Sequence, residues 1–374
     1  MKISIVGGGI AGCSTAYYLT QAGHDVTLFE RDSLASHASG FALGGLIPSI
    51  GGPPDDPYGV LSRYSIVLHR ELAEQLTGHA GGRRGDGGGG NLDFLRKPSL
   101  MLVKDRAEEE SMRRVYGQYA EDHTLDIRWL NFGEFSHIEA RISSTVRGAL
   151  YVSEAYEVDP YKLTLALWQA AEQQGARLVN RVVTAIAVSR DRVSGVVTKD
   201  GTTGADAVVV AAGPWSSEML AGLGVSAPVT PLKGQIIRLD APGPPPKVSL
   251  WWDHDYATAK ADGLLWVGTT EEEVGFDDST TDAARDRLIS SAVEMLPYLE
   301  DAELVQQTAC LRPVTPDGAP IIDAEAGPDG LVIVTGAGRQ GIMLGPSMGI
   351  AAAALATGAE PPVDVSAFSL ARFS

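Results

Sequence analysis

Apolar and polar positions along this chain follow two rhythms. The first is a short apolar strand, Lys2-Ile-Ser-Ile-Val6, which breaks at Gly7-Gly8-Gly9-Ile10-Ala11-Gly12 and gives way to a small-residue helical run to Leu19. After Gly23 a second apolar run, Asp25-Val-Thr-Leu-Phe29, ends in Glu30. This order predicts a strand–helix–strand unit. Ala207-Val-Val-Val-Ala-Ala-Gly213 is apolar throughout, as a strand of a parallel sheet covered on both faces must be. Leu331-Val-Ile-Val-Thr-Gly336-Ala-Gly338 reads as another strand ending in a glycine turn.

The second rhythm is alternation. Residues 235–239 and 264–268 have the alternating, aromatic character of an antiparallel sheet. Further strands are predicted at 100–103, 176–179, 182–188 and 193–198, with a turn at Asp200-Gly201. Helices are predicted at 60–76, with Leu61, Tyr64, Val67, Leu68, Leu72 and Leu76 on one face, and at 106–122. Asp159-Pro160 caps a helix that runs to Gln174 and stops at Gly175. Thr281 or Asp282 caps another that runs to about Leu296, and Pro346 to Thr357 forms the last. Residues 51–57 and the glycine-rich stretch Gly78 to Asn91 are expected to be loops, the latter a mobile surface one. Nucleotide-type segments therefore sit at the N-terminus, the middle and the C-terminus, with antiparallel segments between them. The expected fold is α/β, with a discontinuous Rossmann-like domain interleaved with an antiparallel-sheet cap, and the active site lies between the two.

The N-terminal unit carries the first chemistry. Gly7, Gly9 and Gly12 satisfy Gly-x-Gly-x-x-Gly, with Glu30 closing the second strand. Gly7 permits the tight turn, Gly9 lets backbone approach a pyrophosphate, and Gly12 lets the helix pack near the strand. The helix N-terminus turns free N–H groups toward phosphate. Glu30 can accept hydrogen bonds from a ribose 2′-hydroxyl. These residues alone leave FAD and NAD both open. Ile10-Ala11-Gly12-Cys13 also has the look of a lipoprotein cleavage site, but Lys2 is its only basic residue and glycines interrupt the apolar run. In the segment from Ser33 to Pro48, Ser36 and Ser39 are candidate phosphate donors.

Composition narrows the field further. The 374 residues suffice for two domains, and the net charge of −17 repels a phosphate backbone, which argues against nucleic acid as a partner. No apolar run reaches the roughly twenty residues of a membrane span. Two cysteines, Cys13 and Cys310, give no disulfide framework and suit a reducing cytoplasm, the expected location.

Val208-Val-Val-Ala-Ala-Gly-Pro-Trp-Ser216, Cys310-Leu-Arg-Pro-Val-Thr-Pro-Asp-Gly-Ala-Pro-Ile-Ile322 and Val334-Thr-Gly-Ala-Gly-Arg-Gln-Gly-Ile-Met-Leu344, together with the N-terminal unit, resemble the FAD-dependent D-amino-acid oxidase superfamily. The likeness is greatest to glycine oxidases of the thiamine-pathway type, with sarcosine oxidases next. It is this resemblance that selects FAD over NAD. It implies a FAD-binding domain at 1–47, 146–226 and 305–374 and a substrate-binding domain at 48–145 and 227–304. It also implies a reaction: hydride transfer from the α-carbon of a small amino acid or secondary amine to flavin N5, hydrolysis of the imine to a 2-oxo acid, and reduction of dioxygen to hydrogen peroxide. A flavin monooxygenase, a quinone-linked dehydrogenase and a non-catalytic flavoprotein are the competing readings, and a homo-oligomer remains open.

By the same resemblance Arg312 holds the substrate carboxylate, a task for which the planar guanidinium fork is suited. Its alternative is a structural ion pair. Arg339, in the last glycine turn, matches a second arginine near the substrate, and Tyr256 matches a tyrosine that helps bind the carboxylate. The segment after Tyr256 departs from the family's Tyr-x-x-Pro-Arg by having Ala259-Lys260. The flavin residues implied are Gly7, Gly9, Ile10, Ala11, Gly12, Glu30, Arg31, Ser39, Gly40, Val183, Ala212, Gly213, Trp215, Gly338, Arg339, Gln340, Gly341, Ile342 and Met343. Cys310 falls where sarcosine oxidases bond the flavin covalently; a small buried thiol is the commoner explanation, so FAD is expected to be bound non-covalently. Ala337 and Gly338 stand where glycine oxidases usually carry bulkier residues, which implies a roomier pocket and a substrate larger than glycine.

Overall fold

The computed structural model describes residues 1–48, 55–76, 92–122 and 125–374. The glycine-rich stretch and most of the 51–57 loop lie outside the described residues. The strand–helix–strand unit forms as expected, with Lys2–Val6, helix Ile10–Gln21 and Asp25–Glu30. Its strands enter a six-stranded sheet in the order Ile321–Asp323, Leu331–Thr335, Ala207–Val210, Lys2–Val6, Asp25–Glu30, Arg177–Asn180. All neighbours run parallel except the first pair.

Both faces of this sheet are covered, which explains the unbroken apolar runs. Ile3, Ile5, Val209, Val332 and Val334 pack against helices Ile10–Gln21, Pro160–Gln173 and Gly341–Ala356. Their neighbours Val208, Val210, Leu331 and Ile333 pack on the opposite side, with Val183, Ile186, Val193 and Val196 of a three-stranded antiparallel sheet. That sheet comprises Val183–Ser189, Arg192–Thr198 and Gly201–Gly204. Its last strand was expected only as a turn, because two glycines and two threonines carry no apolar face.

The second large sheet has eight strands, in the order Glu303–Val314, Thr230–Asp240, Leu265–Gly268, Asp255–Ala259, Ser249–Trp252, Ser99–Val103, Gly148–Val152, Ile127–Asn131. It is antiparallel apart from one parallel pair, Ser249–Trp252 with Ser99–Val103. Period-two alternation splits its residues cleanly. Ile237, Ala257 and Val267 face helix Asp282–Met295, while Ile236, Tyr256 and Trp266 face the other way with Leu43. Two strands sit in this sheet against the segment division expected above. Gly148–Val152 pairs in this sheet although it falls within 146–226, and Glu303–Val314 pairs along Thr230–Asp240.

One helix begins earlier than its pattern suggested. The last helix starts at Gly341, not at Pro346, so the proline sits inside it. Helix Pro57–Gln75 starts at a proline, with Asp56 accepting from Tyr58 N at 3.0 Å and Gly59 N at 3.2 Å.

A buried ionic cluster centres on Glu157, in the short strand Tyr156–Glu157 that pairs with Gly45–Leu46 and Leu95–Arg96 in a small separate sheet. The Glu157 carboxylate lies 3.4 Å from Lys97 Nζ and 3.3 Å from Lys260 Nζ, and it accepts from Thr258 Oγ1 at 3.0 Å. Lys260 Nζ also donates to Leu43 O at 2.8 Å and Val158 O at 3.2 Å. This is where Lys260, the departure noted after Tyr256, goes. Its ammonium ties the cap strand to the nucleotide-type part instead of reaching substrate. Burial holds the Lys97 ammonium below its ordinary pKa, and Glu157 opposes that shift.

Candidate active site

A cavity of about 1040 Å³ runs between the two large sheets, from the Gly7–Ala11 turn to Arg312. At its first end the backbone does most of the work. Gly7 has φ +112°, and a Cβ there would lie 2.3 Å from Ala211 O, so only glycine fits. Gly9, Ile10 and Ala11 line the cavity at the helix N-terminus. Ile10 N donates to Ser39 Oγ at 2.9 Å, which brings the serine to the point where the helix can meet a phosphate. Glu30 also lines the wall; its carboxylate accepts from Gly8 N at 2.7 Å and Asp32 N at 2.8 Å. Arg31, Ser36, Val183, Ala212, Gly213 and Trp215 complete this end. The Arg31 guanidinium lies 3.8 Å over the Trp215 ring, and that ring stacks on Phe276.

Two of the expected residues do not reach the cavity. A Cβ on Gly12 would lie 1.9 Å from Gly7 O, and one on Gly40 would lie 2.1 Å from Ala35 O. Both act behind the wall, by letting backbone segments approach closely.

At the far end, Gly338, Arg339, Gln340, Gly341, Ile342 and Met343 all line the cavity. They form a 3-10 turn that leads into helix Gly341–Ala356, so a second helix N-terminus faces the cavity. Pro346 has no N–H, which leaves Ile342 O without its helical donor. His69 Nε2 fills the gap at 3.0 Å and reaches Met343 O at 3.1 Å. Ser65 Oγ donates to Met343 O at 2.5 Å and accepts from Ser347 N at 3.4 Å. Helix Pro57–Gln75 thus repairs the break and fixes the turn. Burial holds the His69 imidazole down to a pKa of about 4, which keeps it neutral. Sequence reading missed this pair; the signal was Pro346 within an otherwise continuous apolar run.

The cap supplies charge. Arg312, on Glu303–Val314, is 11% exposed and lines the cavity. Its guanidinium lies against Gly234 on the adjacent strand, where a Cβ would be 1.9 Å from Nη2. Gly234 therefore makes the space for Arg312, a role that a glycine within a strand signals. Arg312 Nη2 donates to Thr269 Oγ1 at 2.5 Å and Nη1 to Thr270 O at 3.4 Å. Tyr256 is buried, beside Trp251 at a ring separation of 5.3 Å, and both line the cavity. Burial pushes its phenol up, and Arg312 offsets part of the shift. Arg339 Nη1 lies 3.1 Å from Glu271 Oε1. Cys310 is also on the wall; burial pushes its thiol up, so it stays protonated.

The arrangement fits FAD. The cavity's size lies at the top of the roughly 300–1,000 Å³ range of ligand sites, and both ends present helix N-termini. Glu30 places a carboxylate on the wall beside the first of them. Among the described residues no group of His, Cys, Asp and Glu could hold a metal ion.

Comparison with known proteins agrees. The family described as FAD dependent oxidoreductase (DAO) matches residues 2–355. The chain is 32% identical over 368 residues to glycine oxidase of Pseudomonas aeruginosa, covering 97% of this chain and 96% of that one. It superposes on the crystal structure of glycine oxidase from Geobacillus kaustophilus with a TM-score of 0.90 at 30% identity, covering 98% and 97% of the two chains. Iminodiacetate oxidase from Chelativorans sp. BNC1 gives a TM-score of 0.85 at 27% identity, covering 98% of each.

Proposed function

Because the chain belongs to the FAD-dependent oxidoreductase (DAO) family, we propose that it oxidises a small amino acid or secondary amine whose carboxylate is held by Arg312. The observation that carries this reading is the placement of Arg312. A nearly buried guanidinium faces the cavity, its two terminal nitrogens donate to neutral acceptors, Thr269 and Thr270, and the nearest carboxylate, Glu271, stays 3.8 Å away, beyond hydrogen-bonding distance. Such a group gains most from a carboxylate that arrives with the substrate.

In this reading Gly7, Gly9, Ile10, Ala11, Glu30, Arg31, Ser39, Val183, Ala212, Gly213 and Trp215 hold the adenosine and pyrophosphate. Gly12 and Gly40 support them from behind. Gly338 to Met343 hold the ring, and their N–H groups stabilise negative charge there. When bound, FAD takes a hydride from the substrate α-carbon and passes the electrons to dioxygen, giving hydrogen peroxide. Arg312 and Tyr256 fix the carboxylate, which aims the α-carbon, and the aromatic wall of Trp251 and Tyr256 keeps water out. The released imine hydrolyses to a carbonyl product, a 2-oxo acid with ammonia from a primary amine, or with a primary amine from a secondary one. FAD is held non-covalently, since Cys310 offers a protonated thiol. The domain boundary runs so that Gly148–Val152 goes with the substrate-binding part.

The test is anaerobic mixing of the FAD-loaded protein with amino acids and N-methyl amino acids. The reading predicts that at least one bleaches the flavin and that oxygen then yields stoichiometric peroxide. Reduction by NAD(P)H alone, or good dye reduction without peroxide, contradicts it.

A further inference from the structure

The two arginines at the substrate end are not equivalent, and a carboxylate separates them. Glu271 Oε1 lies 3.1 Å from Arg339 Nη1 and 3.8 Å from Arg312 Nη1. Arg339 is otherwise satisfied by the cap, since Nη1 lies 3.2 Å from His254 Nδ1 and Nη2 donates to His254 O at 2.7 Å. Its charge is therefore matched within the protein. Arg312 has neutral acceptors at hydrogen-bonding distance and only the edge of Glu271.

Glu271 is 36% exposed, and as a surface ion pair it would count for little in stability. Its backbone, however, is pinned on both sides. Thr270 N donates to Gln235 O at 3.3 Å, and Glu272 exchanges backbone hydrogen bonds with Lys233 at 3.0 Å. Lys233 is 1% exposed and also pairs with Asp277 at 2.9 Å. Two neighbouring carboxylates are committed elsewhere. Glu272 bonds Gln235, Thr270 and Lys233, and Asp255 bonds Arg287 and Ser291. Glu271 is thus the carboxylate that the fold holds against the two guanidinium groups.

Two guanidinium groups at one end of a cavity would suit a ligand with two carboxylates. We propose that Glu271 is a specificity-determining residue. It fills the second anion position from within the protein, so the site accepts amines with one carboxylate and rejects those with two. A second substrate carboxylate beside Arg339 would meet Glu271 as a like charge with its counter-ion already taken. The inference rests on the reading of Arg312 as the carboxylate anchor.

The test uses the FAD-loaded full chain and two matched ethers that lack an amine and so cannot react. Methoxyacetate has one carboxylate and diglycolate has two. Dissociation constants are read from the perturbation of flavin visible absorbance. The native protein should bind methoxyacetate at least about tenfold more tightly than diglycolate, and Glu271→Gln should shrink that ratio by about tenfold, chiefly by tightening diglycolate. Glu271→Asp, which keeps the charge, should restore most of the preference. A native protein that prefers diglycolate, or a ratio that Glu271→Gln leaves unmoved while methoxyacetate still binds, overturns the role of Glu271 alone. Failure of methoxyacetate to perturb the native flavin overturns the Arg312 reading along with it.

Discussion

The two ends of the cavity are built by different means. At the adenosine end the contacts come from backbone and from residues close together in sequence: the Gly7–Ala11 turn, Glu30 and Ser39. At the substrate end they come from side chains on strands of the cap, namely Tyr256 and Arg312, joined by Arg339 from the last glycine turn, with Glu271 behind the wall in the loop after Leu265–Gly268. The first end recognises what every ligand of its kind shares, a pyrophosphate and a ribose. In the proposed function the second recognises one substrate, through charges whose positions depend on sheet register. Arg312 lies two residues along from Cys310, which pairs with Gly234, and that offset places the guanidinium over a residue with no side chain.

The largest expected effect lies where the two parts join. Glu157→Ala leaves the Lys97 and Lys260 ammoniums buried without a counter-charge, and it should destabilise the protein by roughly 3–5 kcal/mol in urea unfolding. Both ends should then weaken together. An effect confined to one end would show that the cluster does not couple them.

Gly12→Ala separates the ends. Its Cβ would strike Gly7 O, so it should cost about 1–3 kcal/mol and lower FAD affinity in equilibrium dialysis. The fraction that does bind FAD should keep its carboxylate affinity. Loss of both in equal measure would contradict the division.

His69 links stability to pH. Its pKa of about 4 in the fold lies below the ordinary value of 6.5, so between these values the unfolded chain binds more protons. The contribution is complete above about pH 6.5 and is lost as pH falls toward 4, by up to about 3 kcal/mol. His69→Leu should flatten that part of the stability profile, and should itself cost about 1–3 kcal/mol by leaving the Ile342 carbonyl unpaired. An unchanged slope between pH 4 and 6.5 in the variant would refute the assignment.

Glu30→Gln should have the smallest effect. The amide oxygen can still accept from Gly8 N while the partly exposed Asp32 N loses its acceptor, so FAD affinity should fall by about 1 kcal/mol. A larger loss would mean that side-chain charge matters more at this end than the comparison allows.

The same contrast explains what could be read from sequence. The Gly7–Glu30 unit was legible because its chemistry is local, with glycine spacing and an acid at a strand end. The strands Ala207–Val210 and Leu331–Thr335 were legible because burial on both faces leaves them apolar up to Thr335. The candidate residues Arg312, Tyr256 and Arg339 came from family resemblance, and the fold brings them to one end of the cavity. Glu271 was invisible because nothing in Thr269-Thr270-Glu271-Glu272-Glu273 marks which of three adjacent glutamates turns toward the arginines. The early start of helix Gly341–Ala356 was missed because the donors that offset Pro346 lie on Pro57–Gln75. The strand Gly148–Val152 was missed because its partners, Ser99–Val103 and Ile127–Asn131, fix its place from outside.

The account turns on Arg312 as the anchor for the substrate carboxylate. The most direct measurement is methoxyacetate binding to the FAD-loaded native protein and to Arg312→Lys and Arg312→Ala, followed by flavin absorbance. The account predicts that Arg312→Ala weakens binding by about a hundredfold or more with FAD still bound, and that Arg312→Lys recovers part of the loss. Equal affinity in all three proteins, with FAD in place, would contradict it.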